Sequence, residues 1–389
     1  MPSHSYVDVA SAAPWHPRAL AAFTQIAEGF DGDPTRLHGS GRRASDLLER
    51  ARAAVAEELG APTEGVVFTG SGTEAIHLAV RGTAAANRTR PRRIISSAVE
   101  HSAVLAAADA AAAEHDHEHV VIGVDLDGRV NTEELALTLA EGGAALVNVQ
   151  HVNHEVGTIQ PLAAVARMCR QADALLHVDA CQSAGRLLVN LSDIDADYLS
   201  ISAAKFGGGR GTGALMLSPR ARLLPQLTGD ERERQRRSGL QNLPGIAAMA
   251  ETLATLRARS TGGEASRQAV ATDAVRRHLR VRLVQEIPDL AVHGPTEDSA
   301  PHILALSALY VEGQALVTAL DTEGFEVHSG SSCAATSGEP SHVLVAMQAL
   351  THGHIRLSFD DRFTIEHADA FIATLARVII AQRARHGMG

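Results

Sequence analysis

The sequence predicts an α/β protein: a mostly parallel sheet sandwiched by helices, followed by a smaller C-terminal α/β domain. Three observations carry this reading. Short apolar runs alternate with helical patterns of about 10–15 residues, as βα units feeding a parallel sheet do. The chain has 389 residues, 45% of them hydrophobic, enough for two domains of about 150 residues each. The pattern then shifts at Thr261-Gly262-Gly263, which reads as a hinge. The expected parts are an N-terminal segment (1–14) packing on the small domain, a large domain (15–261) and the small domain (262–389).

Taken in order, Leu48, Ala51, Val55 and Leu59 share one helical face, which Gly60 ends. Residues 65–69, 93–97, 119–124, 144–150 and 174–179 are short apolar runs and read as buried strands. Another strand ends at Ser200-Ile201-Ser202. Beyond the hinge, Val275, Leu279 and Leu283 recur four apart on a long helix, a strand lies near 302–307 and a helix near 312–324. Ile365, Ala368, Ile372, Leu375 and Ile379 then step by three and four along a closing amphipathic helix.

Composition excludes several functions. A formal charge of −10 argues against a basic surface for nucleic acid or an anionic membrane, and an aromatic content of 3% leaves few platforms for bases. No stretch approaches the roughly 18 apolar residues of a membrane span. The N-terminus lacks the basic and apolar regions of a secretory signal, so a soluble cytoplasmic protein is expected. Cys169, Cys181 and Cys333 are odd in number and have no C-x-x-C spacing, which makes a disulfide framework unexpected. Cys169, on the helical stretch Ala166–Arg170, reads as core, and Cys181 as packing. The run Glu114–His119 reads as a solvated turn rather than a metal site, and Glu231–Arg237 as surface charge. No metal is expected.

Basic residues number 35, and all but Lys205 are arginine. A guanidinium stays protonated and cannot serve as an amine nucleophile. The surviving lysine therefore reads as a group needed for amine chemistry, with Schiff-base formation the leading role. Thr69-Gly70-Ser71-Gly72-Thr73-Glu74 follows a strand and opens a helix, so its free amides suit a phosphate, although an ordinary βα turn looks similar. The strand Leu175–Ala180 carries Asp179 at its end. A buried carboxylate there needs either a salt bridge or a partner such as a protonated pyridine nitrogen. Ser202-Ala203-Ala204-Lys205-Phe206-Gly207-Gly208-Gly209 ends another strand with the lysine. A phosphate cup, a strand-end aspartate and a strand-end lysine together describe a pyridoxal phosphate site.

With these motifs the chain resembles the fold-type I pyridoxal phosphate enzymes of the class V aminotransferase group, and specifically the cysteine desulfurases of the NifS/IscS kind. The resemblance runs from Tyr6-Val7-Asp8 to the last helix. It includes Glu100-His101-Ser102, His151-Val152-Asn153-His154-Glu155, His177-Val178-Asp179-Ala180-Cys181-Gln182, Arg237-Ser238-Gly239, Ser331-Ser332-Cys333 and Ile355-Arg356-Leu357. It implies that Lys205 holds the cofactor covalently, Asp179 keeps the pyridine nitrogen protonated, Gln182 bonds the phenolic oxygen, and His101 stacks on the ring and moves protons. Gly72, Thr73, Ser202 and Arg237 would hold the phosphate. Arg356, with Asn153 and His154, would bind the substrate. Cys333, among small residues that suit a mobile loop of the small domain, would take the sulfur as a persulfide.

The chain also departs from that pattern. Ala204 stands where a histidine is usual, Leu240 where a threonine is usual, His154 where an asparagine is usual, and Ser11-Ala12-Ala13-Pro14 replaces Ala-Thr-Thr-Pro. The implied partners are L-cysteine or a related amino acid, a sulfur-acceptor protein and a second copy in a homodimer, with no direct nucleic-acid or membrane contact. Two other readings stay open: a pyridoxal phosphate lyase acting on a different amino acid or sulfur compound, and a non-catalytic scaffold or sulfur carrier.

Overall fold

Strands form where the apolar runs lie. In a computed structural model the described residues are 5–29, 32–87, 92–261, 264–329 and 340–385, with side chains described outside 257–268. In chain order the strands are β1 (Ser5–Tyr6), β2 (Val66–Thr69), β3 (Arg93–Ser97), β4 (Glu118–Ile122), β5 (Ala144–Asn148), β6 (Leu175–Asp179) and β7 (Tyr198–Ser202). They continue as β8 (Gly213–Leu217), β9 (Leu290–His293), β10 (Ile303–Ala308), β11 (Phe325–Glu326) and β12 (His354–Ser358). A seven-stranded sheet has the order β2-β8-β7-β6-β5-β3-β4. The neighbours from β7 to β4 pair in parallel, while β8 is antiparallel to both β2 and β7. β2, β5 and β8 are buried at every residue, as strands covered on both faces must be.

A second, antiparallel sheet of β12-β10-β9 has its own core, into which Val7 of the N-terminal segment inserts. That segment pairs as β1 with β11, and Ala10 N donates to Ser358 Oγ at 2.9 Å. Ala13 N then donates to Ala204 O at 2.8 Å, so residues 5–13 tie the second core to the first. We propose that the two cores are two domains, 15–261 and 262–389, with 1–14 lying on the smaller.

The closing helix Ile365–Arg385 buries Ala368, Phe371, Ile372, Leu375 and Ile379, each fully. Each large apolar side chain among them contributes about 1.5–3 kcal/mol by leaving water. Ile365, expected in that stripe, is 39% exposed because it opens the helix, ahead of the turn that meets the sheet. The strand expected at 119–124 stops at Ile122. Val124 instead bridges Val130 across a turn.

Two surface expectations change. The run Glu114–His119 is not one turn: its first two residues end the helix Ser102–His115 and its last two open β4, where His119 Nδ1 lies 2.6 Å from Asp109 Oδ1. Among the described residues no cluster could hold a metal ion. The run Glu231–Arg237 is not all surface. Glu233 is 4% exposed and receives a bidentate pair from the buried Arg52, at 2.7 and 3.0 Å. Phe68 N and Gln241 Nε2 also donate to that carboxylate, at 2.9 and 3.0 Å. Burial works against the charge on Glu233, but the bonds from Arg52, Gln241 and Phe68 outweigh it and hold the carboxyl below its usual range. Glu233, Arg234 and Gln235 all have left-handed backbone, φ 48°, 55° and 62°, which costs non-glycine residues energy and persists only where surrounding contacts fix it. Periodicity could not show this, because the partner of Glu233 lies far away in sequence.

Candidate active site

The carboxyl ends of β2, β3, β5, β6 and β7 meet at one place, where open α/β sheets hold ligands. Lys205 leaves β7 through one 3₁₀ turn, Ala203–Lys205. Its Nζ donates to the carbonyls of Ala10 and Ser11 at 2.9 and 2.8 Å. Burial pushes this ammonium below the ordinary lysine value and Arg356 pushes the same way, while Asp179 opposes. An amine partly relieved of its proton is the form that attacks a carbonyl. Asp179 ends β6 at 7% exposure, and its Oδ1 accepts from Cys181 N at 3.0 Å. Its charge bears on both His101 and Lys205.

His101 caps the helix Ser102–His115: its Nδ1 accepts from Ala103 N at 3.1 Å, which leaves the proton of the neutral ring on Nε2. Burial lowers the imidazole below its usual range, Lys205, His342 and Arg356 add to this, and Asp179 opposes. The His154 ring stands edge-on to it, centroids 5.1 Å apart, and His342 lies 6.3 Å beyond His154. Burial holds His154 well below the usual imidazole value.

The phosphate-cup expectation falls on the start of the helix Gly72–Ala86, where Ser71 Oγ accepts from Glu74 N at 3.1 Å. A Cβ on Gly72 would come within 2.7 Å of Cys181 Sγ and 2.9 Å of Ser202 Cβ, so glycine lets this helix end close on β6 and β7. Thr73 is exposed there and Ser202 half-buried. Arg237 reaches the same turn through Glu74, its Nε 2.8 Å from Oε1, while Glu74 Oε2 accepts from Gly70 N at 2.7 Å. Leu240 is 65% exposed and, like Ala204, brings no polar side-chain group.

Arg356, on β12, is buried beside these residues. Its Nη2 donates to Asp8 Oδ1 and Ser11 Oγ at 2.7 and 2.8 Å, its Nη1 to His154 O at 2.9 Å, and its Nε has no partner among the described residues. Gln182 Nε2 donates to Ala10 O at 2.9 Å. Asn153, grouped with the substrate residues on sequence, is fully buried and holds a turn. Its Oδ1 accepts from Glu155 N and Val156 N, and its Nδ2 donates to Val99 O.

Sequence reasoning gives no role to Asp8, Glu100, Glu155 or His342. Glu100 is fully buried: Oε1 accepts from Ser97 Oγ and Gln150 N, Oε2 has no partner among the described residues, and burial pushes the carboxyl up to about 8. Glu155 accepts from Ser341 Oγ and lies 3.8 Å from His354 Nε2. For Glu100 and Glu155 the sequence signal is an acid placed next to a histidine, His101 and His154; Asp8 and His342 carry none. Cys333 lies outside the described residues. The chain on either side of 330–339 is fixed at the site, through the His328–Arg356 backbone pair, Ser341 on Glu155 and His342 on the Glu100 carbonyl. Burial pushes the Cys169 thiol up to about 12 and Cys181 well above its ordinary value, so neither supplies thiolate.

Residues 5–371 match the aminotransferase class-V family. The chain is 33% identical to the cysteine desulfurase IscS of Dictyoglomus turgidum over 384 residues, covering 96% of this chain and 94% of that one. It is 34% identical over 388 residues to a cysteine desulfurase of Cereibacter sphaeroides, covering 99% and 98%. Among solved structures, a NifS-like protein superposes with a TM-score of 0.88 at 29% identity, over 97% of this chain and 99% of that one. A match of this extent, on a fold that brings the same strand ends together, means that the chain belongs to the aminotransferase class-V family, among relatives that are cysteine desulfurases.

Proposed function

We propose that the protein is a pyridoxal phosphate-dependent cysteine desulfurase, converting L-cysteine to L-alanine and passing the sulfur through Cys333 to an acceptor protein. The observation that carries this is the chain's only lysine, half-buried one turn beyond the end of β7, the strand that pairs with Asp179's β6, with its ammonium destabilised. The residues fit the cofactor: Gly72 opens a helix end against Ser202, Asp179 offers a buried carboxylate, and Arg356 keeps a buried Nε that has no partner among the described residues. When bound, pyridoxal phosphate supplies an electron sink for bonds at the substrate Cα.

This chain's own residues do the rest. Lys205 anchors the cofactor through its amine. Asp179 places negative charge where a pyridinium proton needs it. Gly72, Thr73, Ser202 and Arg237 would hold the phosphate, and Gln182 would bond the phenolic oxygen. Neutral His101, with its proton on Nε2, gives or takes a proton at the reacting centre. Arg356 binds the substrate carboxylate, for which Asp8 and Ser11 now compete, and His154 lines that end of the pocket. The Cys333 thiolate takes the substrate sulfur: an S–S bond forms, the Cβ–S bond breaks with its electron pair left on Cβ, a proton equivalent to the one on the substrate thiol is taken up there, and alanine leaves. A homodimer working in the cytoplasm completes the reading, and among the described residues no helix is long and apolar enough to cross a membrane.

The test is product analysis with L-cysteine and dithiothreitol. Alanine and sulfide in equal amounts support the reading. Pyruvate in place of alanine refutes it in favour of a lyase.

A further inference from the structure

A cavity of about 630 Å³ opens between the two cores, and Lys205, Asp179, His101 and Arg356 do not line it. Trp15, Arg186, Phe206 and Leu253 face it from one core, His302 and Asp360 from the other. Its lining holds both acids and bases, but they are not equally committed. Asp360 is taken by Arg362, whose Nε and Nη2 donate to it at 3.0 and 2.6 Å. Arg186 has one hydrogen bond among the described residues, a long one of 3.5 Å from Nη2 to the Lys205 carbonyl. His302 is 2% exposed and its Nδ1 has no partner among the described residues. Among the described residues the Arg186 guanidinium and the His302 imidazole thus keep capacity for a ligand, beside an aromatic and aliphatic wall, with Glu57, Glu58, Asp193 and Asp361 also in the lining.

We propose that this cavity binds a small organic carboxylate, with its head group on Arg186 and His302 and its apolar body against Trp15, Phe206 and Leu253. Arg186 is half-buried, and burial pulls it below the ordinary arginine value although Asp360 and Asp361 push the other way; an anion on the guanidinium offsets the cost of that burial. The site is coupled to the lysine by direct contact. Arg186 rests on the Lys205 carbonyl, and Ala13 and Pro14 in the lining directly follow the segment whose carbonyls hold Lys205 Nζ. An occupant also touches both cores, so it fixes their relative position.

Phenylacetate tests the proposal on the cofactor-loaded protein, with 2-phenylethanol as its uncharged counterpart and sulfate as an anion without an apolar body. Phenylacetate is expected to raise the melting temperature saturably, and the other two at least about tenfold more weakly. Arg186→Met is expected to abolish the shift, Ala269→Trp to abolish it by filling the lining, and Arg356→Gln to leave it intact. Should Arg186→Met not fold, Ala269→Trp decides alone. No shift with phenylacetate, an equal shift with 2-phenylethanol or sulfate, or a shift that survives Arg186→Met or Ala269→Trp overturns the proposal. A shift lost only in Arg356→Gln also overturns it, by placing the probe in the lysine site.

Discussion

Replacing Glu100 by glutamine isolates what it costs this fold to bury a carboxyl group with no cation beside it. The side chain is fully buried, its Oε1 accepts from Ser97 Oγ at 2.8 Å and Gln150 N at 2.9 Å, and its Oε2 has no partner among the described residues. Burial, with Asp179 adding to it, raises the carboxyl from 4.5 to about 8. A group raised on folding contributes stability that is complete below its unfolded value and is lost as pH climbs through the folded one. The window here runs from about pH 4.5 to about 8. A gap of roughly 3.5 units at about 1.4 kcal/mol each makes about 5 kcal/mol, of which about 3 is already lost at about pH 7. Glutamine has the shape of the protonated acid, keeps an oxygen for Ser97 and Gln150, and does not titrate. Urea unfolding should therefore find Glu100→Gln and wild type equal near pH 4.5, the variant ahead by about 3 kcal/mol at about pH 7, and by nearly the full amount at about pH 8.5. A difference that does not change with pH, or a wild type that is the more stable at the alkaline end, would refute the argument.

Arg52→Met strands Glu233 in the interior and should cost about 3–5 kcal/mol in urea unfolding; a loss under about 1 kcal/mol would mean that the pair is not buried as described. Lys205→Arg keeps the charge but removes the amine, so the visible cofactor band should not survive gel filtration; an unaltered, borohydride-fixed band contradicts the assignment. Ala204→His should slow cofactor loss on dialysis by restoring a charge-assisted bond worth about 1.5–3 kcal/mol; faster loss would show that the space beside the phosphate is already filled.

The strands were legible because their burial is local: 93–97 and 174–179 are apolar runs that become β3 and β6 nearly residue for residue. The lysine was legible through composition, since one amine survives among arginines. The Arg52–Glu233 pair, the Asp8 carboxylate on Arg356 and the Ser341–Glu155 bond were not, because each joins residues more than 180 positions apart. A charge run such as 231–237 looks solvated until the partner's position is known. Asn153 misled for a related reason: its neighbours pointed to a pocket, but its amide is spent on two N–H groups of the turn it holds and on the distant Val99 carbonyl.

The most direct test of the central claim is the fate of the substrate sulfur. Wild-type protein treated with L-cysteine and no reductant should gain the mass of one sulfur atom on the peptide carrying Cys333, with alanine released in equal amount. Cys333→Ala should keep the cofactor band and bind cysteine but gain no sulfur and pass none on. Normal sulfur transfer by Cys333→Ala, or sulfur found on Cys181 instead, would contradict the account.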